Sequence, residues 1–159
     1  MEERLAAAEA ELARQPSVAA VIQTLCSELV GTLDASSCIT SRVVGDLLVQ
    51  IAEGSGTGEK LQQLGHGYLL ADYPLTRRVL DRREPEVVSL DDPEADESEA
   101  ALLRKLGFDA LLMVPLVAAG RPWALVEVYG RDRDFDPGDT AAAVRLATAA
   151  GALIERLSS

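Results

Sequence analysis

The sequence predicts an α+β fold in which helices cover an antiparallel sheet. Three observations lead there: apolar runs with strand character come in pairs joined by tight turns, helical periodicity gathers at the two ends and in the middle of the chain, and no strand–helix–strand alternation runs through it. A parallel, doubly wound sheet would need that alternation. At 159 residues, 48% apolar but only 4% aromatic, the chain should form one domain with a core of Ala, Leu and Val rather than of rings.

The elements follow in order. Glu2 to Gln15 reads as a charged helix with Leu5, Ala8 and Leu12 at three- and four-residue steps, a stripe narrow enough for a coiled-coil seam or a linker helix. Pro16 ends it. A second helix from Ser17 to Leu33 repeats Val18, Val21, Ile22, Leu25, Leu29 and Leu33 at helical spacing, so its stripe should lie on a core. Two extended runs, Ser36 to Val44 and Asp46 to Gly54, are split by Gly45 followed by Asp46, a hairpin signal. The Gly-rich "EGSGTGEK" reads as a loop, and "KLQQLGHGYLL" as an irregular third strand.

Pro74 announces a short helix that closes before Pro85, and Glu86 to Leu90 is a strand. The acidic run Asp91 to Glu99 reads as an exposed loop leading into a helix that starts near Ser98 and is capped by Gly107. Leu112 to Gly130 supplies the fifth and sixth strands. Asp136, Pro137 and Asp139 mark the start of a last helix reaching Leu157. That helix carries two apolar stripes, one through Val144, Ala147, Gly151 and Ile154, the other through Leu146, Ala150, Leu153 and Leu157. One can cover the sheet while the other awaits a partner.

A net charge of −11 repels the phosphates of nucleic acids and acidic lipid surfaces, so neither is expected as a partner. No apolar stretch is long enough to span a bilayer, and the acidic start lacks the features of a signal peptide. A cytoplasmic location is expected. Cys26 and Cys38 have no CxxC spacing and no neighbouring His, and read as buried reduced thiols; two Cys and one His assemble no zinc site.

Three segments in order, "DYPLTRRVLDRREPEVV", "LGFDALLMVPLVAAGRPWALVEVYG" and "FDPGDTAAAVRLATAAGALIERL", resemble the GAF domain family over residues 17 to 157. The resemblance implies a GAF/profilin-like architecture: a central six-stranded antiparallel sheet with terminal helices on one face and a pocket roofed by loops and short helices on the other. It further implies a sensory module, residues 16–159, preceded by a linker helix, residues 1–15. Such a module binds a small molecule, forms a homodimer through its terminal helices and signals to an output domain outside these residues. Two relatives with chemistry are disfavoured: bilin attachment and methionine sulfoxide reductase activity both use Cys in the middle segment, and Asp46 to Ser159 contains none. A ligand-free dimerisation or protein-interaction module, its pocket filled by Leu and Trp123, is the alternative.

The sixth strand carries the candidate site. Alternation puts Ala124, Val126 and Val128 on one face and Trp123, Leu125, Glu127 and Tyr129 on the other, which has the donors and acceptors that a pocket wall needs. A carboxylate at Glu127, in an otherwise apolar strand, is costly unless something answers it. It either orients a ligand or pairs with an arginine at a covered edge. His66, Tyr73, Arg78, Phe108 and Val114 complete the expected lining. Haem ligation through His66 is disfavoured against a partly exposed strand histidine, and Arg77 and Arg78 also read as a solvated helix face. No catalytic set can be assembled from spacing, so the expectation is a non-enzyme.

Overall fold

The structure, a computed structural model, describes residues 1–58 and 65–159. Six strands form one sheet: β1 (Ser37–Val44), β2 (Leu47–Ser55), β3 (Gly67–Leu69), β4 (Glu86–Ser89), β5 (Ala110–Ala118) and β6 (Arg121–Gly130). Their order is β3-β2-β1-β6-β5-β4, and every neighbouring pair is antiparallel. The helices are α1 (Glu2–Ala13), α2 (Val18–Leu33), α3 (Pro74–Arg82), α4 (Glu97–Leu106) and α5 (Pro137–Ser158). The α+β class and the six-stranded antiparallel sheet are as the sequence predicts. Of the irregular third strand, the described residues form β3 over Gly67–Leu69; residues 59–64, on which part of that strand and of the Gly-rich loop was expected, lie outside the described residues.

Local chemistry explains the element ends. The Ser17 hydroxyl accepts the Ala20 amide at 3.2 Å and starts α2. Asp136 and Asp139 form a reciprocal capping box at the start of α5, with Pro137 at its first position. The β5–β6 turn places Ala119 and Gly120 at φ 52° and 71°, the paired positive angles of a turn that matches strand twist.

Two cores lie on opposite sides of the sheet. On one side α1, α2 and α5 pack over Cys38, Ala52, Leu112, Val114, Leu116, Ala124, Val126 and Val128. On the other side Ile39, Leu111, Met113, Leu125 and Tyr129 meet Val79 and Leu80 of α3 and Leu103 of α4. Helix α5 approaches β5 so closely that a Cβ at Gly151 would overlap the Val117 carbonyl.

Helix α1 packs on α2 and α5, with Leu5, Ala8 and Leu12 all buried in the first core, and Arg145 of α5 holds Glu2 and Glu9 at 2.6 Å each. The stripe read as a coiled-coil seam is therefore filled within the chain, and so is most of the second stripe of α5: Leu146 and Ala150 are buried and only Leu157 stands exposed.

The corner between β6 and α5 is braced by one side chain. Arg133 donates to the Leu33 carbonyl at the end of α2 and to the Asp139 carboxylate at 2.7 Å, and its guanidinium lies over the Phe135 ring.

Candidate functional site

The roofed face of the sheet holds a small cavity. Its floor is Ser41 of β1, Leu48 and Gln50 of β2, Tyr68 of β3, and Glu127 and Tyr129 of β6; its roof is Tyr73, just before α3, with Glu99, Leu102 and Leu106 of α4. Strand alternation explains the floor, since residues 127 and 129 share a face and Glu127 stands opposite Ile39 of β1 and Met113 of β5, both in the core on that side. The volume open to the centre of a water-sized group is about 20 Å³, room for one such group.

Glu127 is 8% exposed, and its Oε2 accepts the Tyr129 hydroxyl at 3.1 Å. Among the described residues no Lys or Arg pairs with it. Burial, reinforced by the nearby Glu99 charge and only partly offset by the Tyr129 hydroxyl, pushes its carboxyl up to about 8. Glu99, 1% exposed, accepts the Thr76 hydroxyl of α3 at 2.5 Å, and burial raises its carboxyl despite that bond. The Tyr68 and Tyr73 rings meet edge to face, centroids 6.1 Å apart, and burial raises both phenols, helped by Glu127 at Tyr68 and by Glu99 at Tyr73. Burial together with Glu127 lifts the Tyr129 phenol well above its ordinary value.

Of the residues expected to line a pocket, the structure gathers Tyr73, Glu127 and Tyr129 at the cavity. Phe108 lies behind the wall, stacked on Tyr129 at 4.9 Å with Arg131 over its ring. His66 is exposed and precedes β3, its carbonyl accepting the Gln50 amide at 3.0 Å. Arg78 lies outside the cavity and pairs with Glu86 at 3.2 Å on the surface, while Arg77 reaches Asp46 and Asp81.

Val114 and Trp123 belong to the other side of the sheet. Val114 stands opposite Val126 and so shares the face of the small residues. Trp123 is carried there by a bulge: the ladder pairs Leu116 with Ala124 and then Val117 with Pro122, leaving Trp123 unopposed and breaking the two-residue period. Its ring packs on the helix-side core with the Arg42 guanidinium 4.2 Å above it.

The acidic run corrects another expectation. Asp96 caps α4 by accepting the Glu99 amide at 3.1 Å, the helix starts at Glu97, close to where it was expected, and Glu99, read as part of an exposed loop, is the one buried acid of the run. Its spacing of four to Leu103 and seven to Leu106 was the available signal. Tyr68, Gln50 and Ser41 also went unrecognised as lining residues.

Cys26 and Cys38 sit in the helix-side core, across the sheet from the cavity, with the Cys26 sulfur 3.2 Å from the Thr40 hydroxyl and the Cys38 thiol pushed well up by burial and by Cys26 beside it. Among the described residues no group of three or more His, Cys, Asp or Glu is placed to hold a metal ion, and no helix is long and apolar enough to cross a membrane.

A family model described as a GAF domain matches residues 15–155. No curated protein matches the sequence. Among solved structures, the chromophore-binding domain of an unusual bacteriophytochrome from R. palustris aligns with a TM-score of 0.85 at 13% identity, over 98% of this chain and 61% of that one. The phycocyanobilin-bound GAF domain of a cyanobacterial phytochrome gives 0.84 at 16% identity, over 98% and 94%. The GAF domain of an Acinetobacter phosphoenolpyruvate-protein phosphotransferase gives 0.75 at 15%, over 98% and 93%. At such identities the likeness carries the fold alone.

Proposed function

Because the chain belongs to the GAF domain family, we propose that it is a non-catalytic sensory module that binds a small molecule in the cavity beside Glu127 and reports its occupancy through the helix layer. The observation that carries this reading is the cavity itself: a roofed space on the face away from the long helices, lined by two buried carboxyl groups and three tyrosines. Polar groups that are costly to bury, gathered around one space, are what a binding site needs and what a simple core avoids.

The relay follows from a population shift, limited by how differently a ligand binds the two states of the domain. Its output would lie in a partner or domain outside these residues. Homodimerisation through the terminal helices and a cytoplasmic location belong to the same proposal. With α1 seated on α5, a dimer would use the outer surfaces of these helices rather than the stripe they already share.

One observation favours the second reading, a ligand-free interaction module: the cavity admits a single water-sized group, with Leu102 and Leu106 closing it. Native mass spectrometry of freshly purified protein separates the two. A stoichiometric small molecule, lost when Glu127 and Tyr73 are both replaced, supports sensing; bare protein whose pocket resonances ignore a metabolite panel supports the interaction module. Sedimentation of the intact chain tests the dimer, and a monomer at all concentrations would remove it.

A further inference from the structure

This inference rests on the sensing reading and names its ligand class. We infer that the cavity is built for the ammonium head of a primary organic amine. Two carboxyl groups face one space from opposite sides, Glu127 from the sheet and Glu99 from the roof. Each has its Oε2 engaged, by the Tyr129 and Thr76 hydroxyls; the Thr76 backbone also acts on Glu99, while among the described residues no donor reaches the Oε1 of Glu127. Ser41 and Gln50 add neutral acceptors on the floor.

The Tyr68 and Tyr73 rings line the same cavity and meet edge to face at 75°. A cation is attracted to an aromatic face, and the effect strengthens where water is excluded. An anion would meet two carboxyl groups, and among the described residues no Lys or Arg lines the space to answer it. The room for one water-sized group suits an –NH3⁺ head, whose tail would leave between the tyrosines and the half-buried Leu102 and Leu106.

Binding should then displace a proton. Among the described residues, the titratable groups facing the head are Glu127 and Tyr129 from β6, Glu99 from α4, Tyr68 from β3 and Tyr73 before α3; α3 and β5 contribute Thr76 and Met113, which do not titrate. Burial pushes the Glu127 carboxyl up to about 8 and raises that of Glu99 as well, so a cation binds better once Glu127 has ionised.

The test is an amide-resolved NMR titration of the full chain with n-butylammonium, using n-butanol and butyrate as chain-matched neutral and anionic controls, at pH 6.5, 7.5 and 8.5. The expected result is that butylammonium alone shifts the Ser41, Gln50, Tyr68, Glu99 and Glu127 amides. Its affinity should rise up to about tenfold per pH unit below 8 and flatten above it. E127Q should weaken binding at pH 8.5 at least about tenfold and flatten the pH dependence, and E99Q should weaken it while keeping a dependence whose midpoint moves down, because the Glu99 charge helps to raise Glu127, each in protein that keeps wild-type spectral dispersion. Butanol or butyrate shifting the same amides as strongly overturns the amine class but leaves the pocket as a binding site. So does an uncharged or anionic molecule co-purifying there. Silence from all three probes in protein that carries no co-purified molecule removes both readings.

Discussion

The two faces of one strand have opposite characters. Ala124, Val126 and Val128 of β6 vanish into a layer of apolar helix side chains, whereas Leu125, Glu127 and Tyr129, one residue out of phase, face a core interrupted by carboxyl groups and phenols. On the helix side, stability comes from area removed from water and from close approach, as at Gly151. On the roofed side the same sheet accepts a carboxyl whose ionisation burial opposes. Close apolar packing and buried carboxyl groups thus fall on opposite faces of the same strand.

The contrast gives a graded set of expected outcomes. Gly151→Val should cost most, about 3–4 kcal/mol, because the added atoms meet backbone rather than a side chain that can move. Thermal unfolding should show a fall of roughly 6–16 °C.

Glu127→Gln acts on the other face and should have a pH signature. The native carboxyl titrates at about 8, above the ordinary value of 4.5, so the native state holds a proton that the unfolded chain has released. The wild type is therefore favoured fully below about 4.5 and loses stability as pH rises towards 8, by about 1.4 kcal/mol per unit from this group. Urea unfolding should show E127Q gaining about 2 kcal/mol on the wild type between pH 6 and 7.5. Parallel curves would mean that Glu127 is not buried as described.

Thr76→Val removes the hydroxyl held by Glu99 and should cost about 1–2 kcal/mol. Carboxyl NMR should also show Glu99 titrating higher than in the wild type, since that hydroxyl favours the charged form. The smallest effect belongs to Arg145→Ala, which cuts the surface pairs from α5 to Glu2 and Glu9. Amide exchange along α1 should quicken while the melting temperature barely moves, since Leu5, Ala8 and Leu12 still hold the helix in place.

The fold was legible because its signals are local and redundant. The Asp136, Pro137 and Asp139 cluster announces α5, Gly45 with Asp46 marks one hairpin, and paired apolar runs give the antiparallel sheet. The site was legible only where strand alternation holds, at Glu127 and Tyr129, and where a proline marks a helix start, beside Tyr73. Trp123 was misplaced because a bulge adds one residue and reverses the facing, which no composition rule detects. Val114 was misplaced because the face of β5 depends on its register against β6. Glu99 hid in an acidic run read as exposed loop, and it is buried because it shares the inward face of α4 with Leu103.

The braced corner at Arg133 has a mechanical meaning. Strand β6 carries Glu127 and Tyr129 on one face, and three residues past its end Arg133 grips both the last carbonyl of α2 and the first turn of α5. A single guanidinium thus ties the end of the strand that floors the cavity to the ends of two long helices. Whatever tilts the strand must either turn both helix ends together or break the grip, so the corner leaves little room for a silent intermediate adjustment.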